Sequence, residues 1–332
     1  MPIPILGIIA ALGAGAGAVK TIDALDDMST AKRINREAQD LLDNTKNKIE
    51  RTKESTNNAL KELGKTKIGI LSSNMKRFAD SFSRLKNVDP YEFPGFEHLR
   101  NFTPSSSEFL NLKNASLKAS ELATGGLGSI AAGTLTAAGA YGAVGTFAAA
   151  STGTAISALS GAAAANATLA WLGGGALAAG GYGMAGGMYV LGGLVAAPAL
   201  LVGGMFLGSK AEKALKDAES NKKQVENYAS EGRTMCSTMD AIKNCSDQMR
   251  SVLNTLDDKF RPAVGEMIST MEWNGTDWRN YNRQSKEKVK RAVDIAQILY
   301  IIIDTRVLEQ DGSLSAKCSR VIEQGRAKLS GI

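Results

Sequence analysis

Residues 173–209 read GGGALAAGGYGMAGGMYVLGGLVAAPALLVGGMFLGS, with no Asp, Glu, Lys, Arg or His among them. They are the second part of a longer run. From Leu122 to Ser209, about 88 positions, the chain holds no Asp, Glu, Lys or Arg, although charged residues make up 22% of the whole. The run also carries 22 of the 35 glycines. A water-facing surface rarely goes so long without a charge, so this stretch must be covered by protein or by lipid. A free helix of this composition would be unstable in water, since each Gly costs about 1 kcal/mol relative to Ala. A disordered linker would carry more Ser, Pro and charge.

Within the run, residues 122–150 are mainly Ala, Gly and Thr, and Ser151–Gly153 makes a turn. A short helix is expected from Ala155 to Leu172, which includes Trp171 and ends at the triplet Gly173–Gly175. Residues 176–208 are the most apolar piece, with Pro198 as a kink. The run therefore reads as a helical hairpin with a broken second arm. Gly183 and Gly187, and likewise Gly204 and Gly208, are four apart, while Gly139, Gly142 and Gly145 recur every three. Such spacing lines one helix face with glycine and lets a second backbone approach, which drives helix association in lipid. Val190, Leu191, Leu194, Val195, Leu200, Leu201, Val202, Phe206 and Leu207 together favour insertion by roughly 3–5 kcal/mol. The first half, with Leu122, Leu127, Ile130, Leu135, Val144 and Phe147 diluted by Gly and Thr, is near neutral. Lys113 and Lys118 precede the run, and Lys210, Lys213 and Lys216 come after it, placed to meet an anionic membrane surface.

Outward from the run, two amphipathic stripes appear. Ile34, Ala38, Leu41, Ile49, Leu60 and Leu63, with Thr45, Thr52 and Thr56 at its weaker turns, lie on one helix face. Ile68, Leu71, Met75, Phe78, Phe82 and Leu85 continue it, with Gly64 and Gly69 as points of kinking. After the run, Leu215, Ala218, Val225, Tyr228, Met235, Met239, Ile242, Met249, Leu253, Leu256 and Phe260 repeat at the same period up to Pro262, where a stop is expected. The two stripes should pair, each hiding its face against the other. Pro90, Pro94 and Pro104 mark residues 87–107 as a connection, and Ser105 with Glu108 makes a capping box for the next helix. Closing helices are expected near Asn280–Leu308 and Leu314–Leu329.

The fold class is thus all-α: long amphipathic helices forming an elongated bundle around or beside a Gly/Ala-rich hydrophobic helical hairpin. The divisions are an apolar N-terminal helix at 1–20, an amphipathic region at 21–121, the insertion hairpin at 122–209, a long helix at 210–271 and a C-terminal helical segment at 272–332. The apolar start, with Gly13 and Gly17 four apart, has no basic residues before it and reads as an uncleaved helix rather than a signal peptide.

Enzyme chemistry finds little purchase. Gly181, Gly183 and Gly186 match GxGxxG, but no strand precedes them and no acid stands at the right distance beyond. Gly203–Lys210 imitates a phosphate loop with its lysine displaced by one position. His98 is the sole histidine, which excludes multi-histidine metal sites. Asp257 and Asp258 read as solvated acids on a mixed-charge helix. Cys236, Cys245 and Cys318 make no even set and no CxxC, and read as buried or idle thiols in a reducing compartment. No catalytic residue, cofactor or metal site is expected. The net charge of +6 is spread over mixed Lys–Glu helices, favouring anionic lipid over nucleic acid.

Long amphipathic helices enclosing an apolar hairpin, over about Met28–Phe260, resemble the helical pore-forming toxins of the cytolysin A and tripartite enterotoxin type. The segment Ala167–Gly181, ATLAWLGGGALAAGG, is similar to glycine-zipper stretches of bacterial membrane-associated proteins. The toxin resemblance implies a form that keeps the hairpin covered and a form that inserts it and oligomerises. The expectation is a membrane-active helical protein, membrane-associated with a possible soluble form. Its partners would be the lipid bilayer and further copies of itself or related helical subunits, with no nucleic acid and no small-molecule substrate. The alternative is a non-lytic, membrane-anchored scaffold that holds a protein partner.

Overall fold

The computed structural model describes residues 17–89, 102–126, 135, 138–140, 211–309 and 313–330. The fold is all-α. The described helices are α1 (Gly17–Ile70), α2 (Lys76–Phe82), α3 (Ser107–Ala123), α4 (Ala211–Asn274), α5 (Arg283–Asp304) and α6 (Lys317–Ser330). A π-helical turn, Leu71–Met75, joins α1 to α2, and a 3-10 turn, Trp278–Asn280, precedes α5. Extended pairing among the described residues is limited to two isolated bridges, Lys86 with Asp277 and Leu308 with Leu314.

The chain divides into two compact units. In the first, α1 up to Thr52 packs on α4 up to Ser237. Ala31, Ile34, Ala38, Leu42 and Ile49 are buried on α1, and Ala214, Ala218, Val225, Ala229 and Cys236 on α4. Steps of three, four and seven keep each set on one face. Small residues let the two backbones come close. A Cβ on Gly232 would stand 2.9 Å from Thr45 Cγ2 and 3.1 Å from Ile49 Cδ1, so Gly is the residue that fits. Leu42, rather than Leu41, is the buried member of that pair. It continues the four-residue step from Ile34 and Ala38, which Leu41 does not.

The helices of this unit run parallel. Lys222 Nζ donates to Glu37 at 3.0 Å, and further along Gly232 meets Thr45 and Ile49. The second unit repeats the direction. Thr56 donates its hydroxyl to the Met239 carbonyl at 3.1 Å, and the Asn74 amide donates to both Asp257 oxygens at 3.0 Å, each pair 183 positions apart. One register therefore holds over four to five turns of both helices. Parallel neighbours need a long return connection, and the chain from α2 through the uncharged run supplies it.

The core of the second unit is aromatic on one side. Phe78 stacks on Phe82 at 5.2 Å between centroids and meets Phe260 of α4 at 5.6 Å, while Phe82, Phe102 and Phe109 contact one another at 5.3–6.4 Å. Helix α5 brings Val289, Val293, Ile295, Ile298, Leu299, Ile302 and Ile303, all buried. Full burial of such side chains contributes about 1.5–3 kcal/mol each. Asn282 caps α5 by accepting from the Ser285 amide at 2.8 Å, and α6 lies over α4 and α5.

Several boundaries differ from the sequence reading, each with a cause. Among the described residues α1 already includes residues 17–20, which are continuous with the long amphipathic helix. It also passes through Gly64 and Gly69 without interruption. The irregular turn comes just after, where Ser72 and Ser73 both donate hydroxyl hydrogens to the Gly69 carbonyl at 3.1 and 2.6 Å and compete with the helix ladder. Ser106, not Ser105, caps α3, accepting from the Phe109 amide at 3.3 Å. Helix α3 takes in only the first two residues of the uncharged stretch, Leu122 and Ala123. It ends at Ala123, and Gly126 lies just beyond with φ +85°, a conformation that favours glycine.

Pro262 does not end α4, which continues to Asn274. An interior proline costs about 3 kcal/mol. Against this, Ala263, Val264, Met267 and Met271 are buried beyond it, and the larger three outweigh that cost. Pro262 and Asp258 are exposed, so the carbonyl deprived of its partner faces water.

Candidate functional site

The uncharged run is the feature that sets this chain apart, and its described residues Leu135 and 138–140 are anchored in the second unit. Leu135, Ala138 and Ala140 are buried. Gly139 crosses α1 at backbone distance. A Cβ on Gly139 would collide with the Leu60 carbonyl, and one on Gly64 with the Leu135 carbonyl. The pairs 60/64 and 135/139 thus interlock, and neither glycine tolerates a side chain. The Ala140 carbonyl accepts from the amides of Val307 at 2.7 Å and Leu308 at 3.0 Å, which tie it to the segment after α5.

Lys67 closes the crossing. It is fully buried and donates from Nζ to the Gly139 carbonyl at 3.3 Å and to the Thr305 carbonyl at 3.1 Å. Burial disfavours the ammonium and, opposed by the negative charge of Asp304, pulls the lysine down to about 7. A neutral amine has two N–H groups, which matches two carbonyls. Sequence reasoning misses Lys67. The available signal is its place on the buried stripe, four residues after Leu63.

Of the residues singled out for helix packing, Gly139 is the one the structure describes. Gly142, Gly145, Trp171, Gly183, Gly187, Leu191, Leu194, Gly204 and Gly208 lie outside the described residues. Of the basic set, Lys113 is half-buried and Lys118 exposed on α3. Lys213 lies in α4, Lys216 is exposed there, and Lys210 is outside the described residues. Lys113 and Lys118 belong to the second unit and Lys213 and Lys216 to the first. His98 is also outside the described residues.

Two further readings change. Asp257 is half-buried rather than solvated, and burial raises its carboxyl while the Asn74 amide opposes the shift. Cys245 and Cys318 are joined in a disulfide with Cα atoms 6.6 Å apart, and Cys236 remains a buried free thiol. A separation of 73 residues conceals the pair in the sequence. Among the described residues no cluster of His, Cys, Asp and Glu could hold a metal ion, and no helix is long and apolar enough to cross a membrane. A small opening in the second unit, lined by Lys53, Thr56, Asn57, Leu60, Met239, Ile242 and Leu308, has room for about one water molecule.

Comparison with protein-family models, curated proteins and solved structures finds no match to this chain. The class that fold and sequence define is an all-α protein of long parallel helices carrying an uncharged Gly/Ala-rich insert.

Proposed function

We propose that this is a membrane-active helical protein. It inserts part of its uncharged run into a bilayer, associates through glycine faces and permeabilises or remodels the membrane. One observation carries the reading: a charge-free, glycine-dense run lies between two long amphipathic helices that already cover each other's apolar faces. Leu135, Ala138 and Ala140 are buried in protein, so the inserting portion is assigned to residues 141–209. That portion contains the strongly apolar residues 190–207 and the glycine pairs 183/187 and 204/208. Insertion there is favourable by only a few kcal/mol, which suits conditional rather than permanent residence in lipid.

Dye release from anionic liposomes with the full chain tests this. Leakage, with protein resisting a carbonate wash, is the expected result. Failure both to bind lipid and to release dye, across pH and lipid composition, would sink it. Firm binding without leakage would favour the non-lytic scaffold instead, a reading supported by the near-neutral first half of the run.

A further inference from the structure

Three elements meet at Leu135 and residues 138–140: α1 through Leu60, Gly64 and Lys67, the segment after α5 through Thr305, Val307 and Leu308, and this early part of the uncharged run itself. That part makes no ionic contact, having no charge to offer. It is held by two interlocked glycine–carbonyl approaches, by the Ala140 carbonyl shared between two amides, and by one lysine amine that bridges Gly139 to Thr305. The amine sits where no water reaches it. We propose that this crossing is a latch, keeping that part of the uncharged run in the core while Lys67 is neutral and loosening when Lys67 takes up a proton.

The surroundings set the sign. In a loosened state Lys67 meets water and titrates near its ordinary value of 10.5, whereas in the closed state burial holds it at about 7. Between those values the open state binds one more proton than the closed state. Closure is therefore strongest at alkaline pH and weakens as pH falls from 10.5 to 7. Below about 7 the lysine is charged in both states and the effect levels off. Among the charged groups around it, Asp304 at the end of α5 opposes the shift. Arg306 is exposed, and the 135–140 stretch is uncharged. Lys65 on α1 is paired with Glu62 at 2.6 Å, and Asp247 on α4 engages Lys243 at 2.9 Å and Arg250 at 3.5 Å. At neutral pH the latch stands near its weakest, poised to release Leu135 and residues 138–140 from the core.

The consequence of release rests on the membrane reading, but the latch itself is read without lipid. Amide hydrogen exchange of Val307 and Leu308 in the full-length protein, corrected for intrinsic rates, reports opening. The opening constant should rise about tenfold for each unit of pH lowered between roughly 10 and 7, then flatten. Lys67→Met should abolish that slope while its circular dichroism stays helical. A wild-type opening constant that ignores pH overturns the proposal, and needs no variant. A Lys67→Met slope equal to wild type also overturns it. Should Lys67→Met not fold, titration of the wild-type Lys67 amine tracked by NMR decides: a midpoint near 7 supports the latch and one near 10.5 sinks it. Flat exchange removes the latch alone, whereas absent liposome leakage removes the membrane reading alone.

Discussion

Gly64 and Gly139 each occupy the one place where a side chain would strike the other's helix: a Cβ on Gly64 runs into the Leu135 carbonyl four residues before Gly139, and a Cβ on Gly139 into the Leu60 carbonyl four residues before Gly64. The Gly139 nitrogen would lie 3.1 Å from a Cβ on Gly64, and the Gly64 nitrogen 3.2 Å from a Cβ on Gly139. Glycine at this spacing is thus a packing device on the protein side, before any membrane is involved. Gly139→Leu should lower stability by more than about 3 kcal/mol, the upper range of overpacking costs, because rigid backbone rather than a flexible side chain must move. Urea denaturation checks this, and a loss under about 1 kcal/mol, the lower end of that range, would refute the crossing.

Asn74 and Asp257 give a pH-dependent prediction. Burial raises the Asp257 carboxyl above its unfolded value. Such an acid supports folding below the unfolded value and loses that support as pH rises through the folded one. Asn74→Ala removes the donors that oppose the shift, so Asp257 should titrate higher still in the variant. Carbon NMR of the carboxyl measures it directly. Loss of two hydrogen bonds to a charged acceptor should also cost about 1.5–3 kcal/mol.

Cys245 and Cys318 should be found bonded. Alkylation of unreduced, denatured protein should modify Cys236 alone, and alkylation after reduction all three thiols. Cys318→Ser should lower stability by about 2–4 kcal/mol and release α6 first, which exchange or proteolysis at 317–330 would show.

Pro262→Ala should stabilise the protein. It restores an amide hydrogen bond at an exposed position and removes a ring clash, with up to about 3 kcal/mol at stake, less the entropy that proline removes from the unfolded chain. A raised melting temperature is the expected outcome, and a lowered one would mean the ring makes contacts that compensate.

Gly183→Leu combined with Gly187→Leu should reduce assembly in membranes more than it reduces expression. Detergent gels of membrane fractions provide the measurement, and unchanged oligomers would contradict a glycine-faced association.

The all-α class and both amphipathic stripes are legible in the sequence because helical periodicity survives in long segments. Choices between adjacent residues are less so. Leu41 and Leu42 are the same residue type, and only the partner helix decides which turns inward. Pro262 misleads because local propensity argues for a stop, while the burial of Val264, Met267 and Met271 acts over tertiary distance. Gly64 looks like a weakness of α1 because its partner at Gly139 is remote in sequence. Lys67 escapes notice for a related reason: lysines on amphipathic helices normally reach water, and only its position four residues beyond Leu63 hints otherwise. The Cys245–Cys318 bond and the buried side of Asp257 depend on contacts that no local pattern encodes.

The position of the free thiol bears on how safely the protein oxidises. Cys236 stands nine residues before Cys245 on the same continuous helix, a separation of about 13.5 Å along the axis. A disulfide tolerates no more than about 7 Å between Cα atoms. Within a formed α4 that helical rise forbids the wrong bond, leaving the incoming Cys318 as the mate that Cys245 reaches.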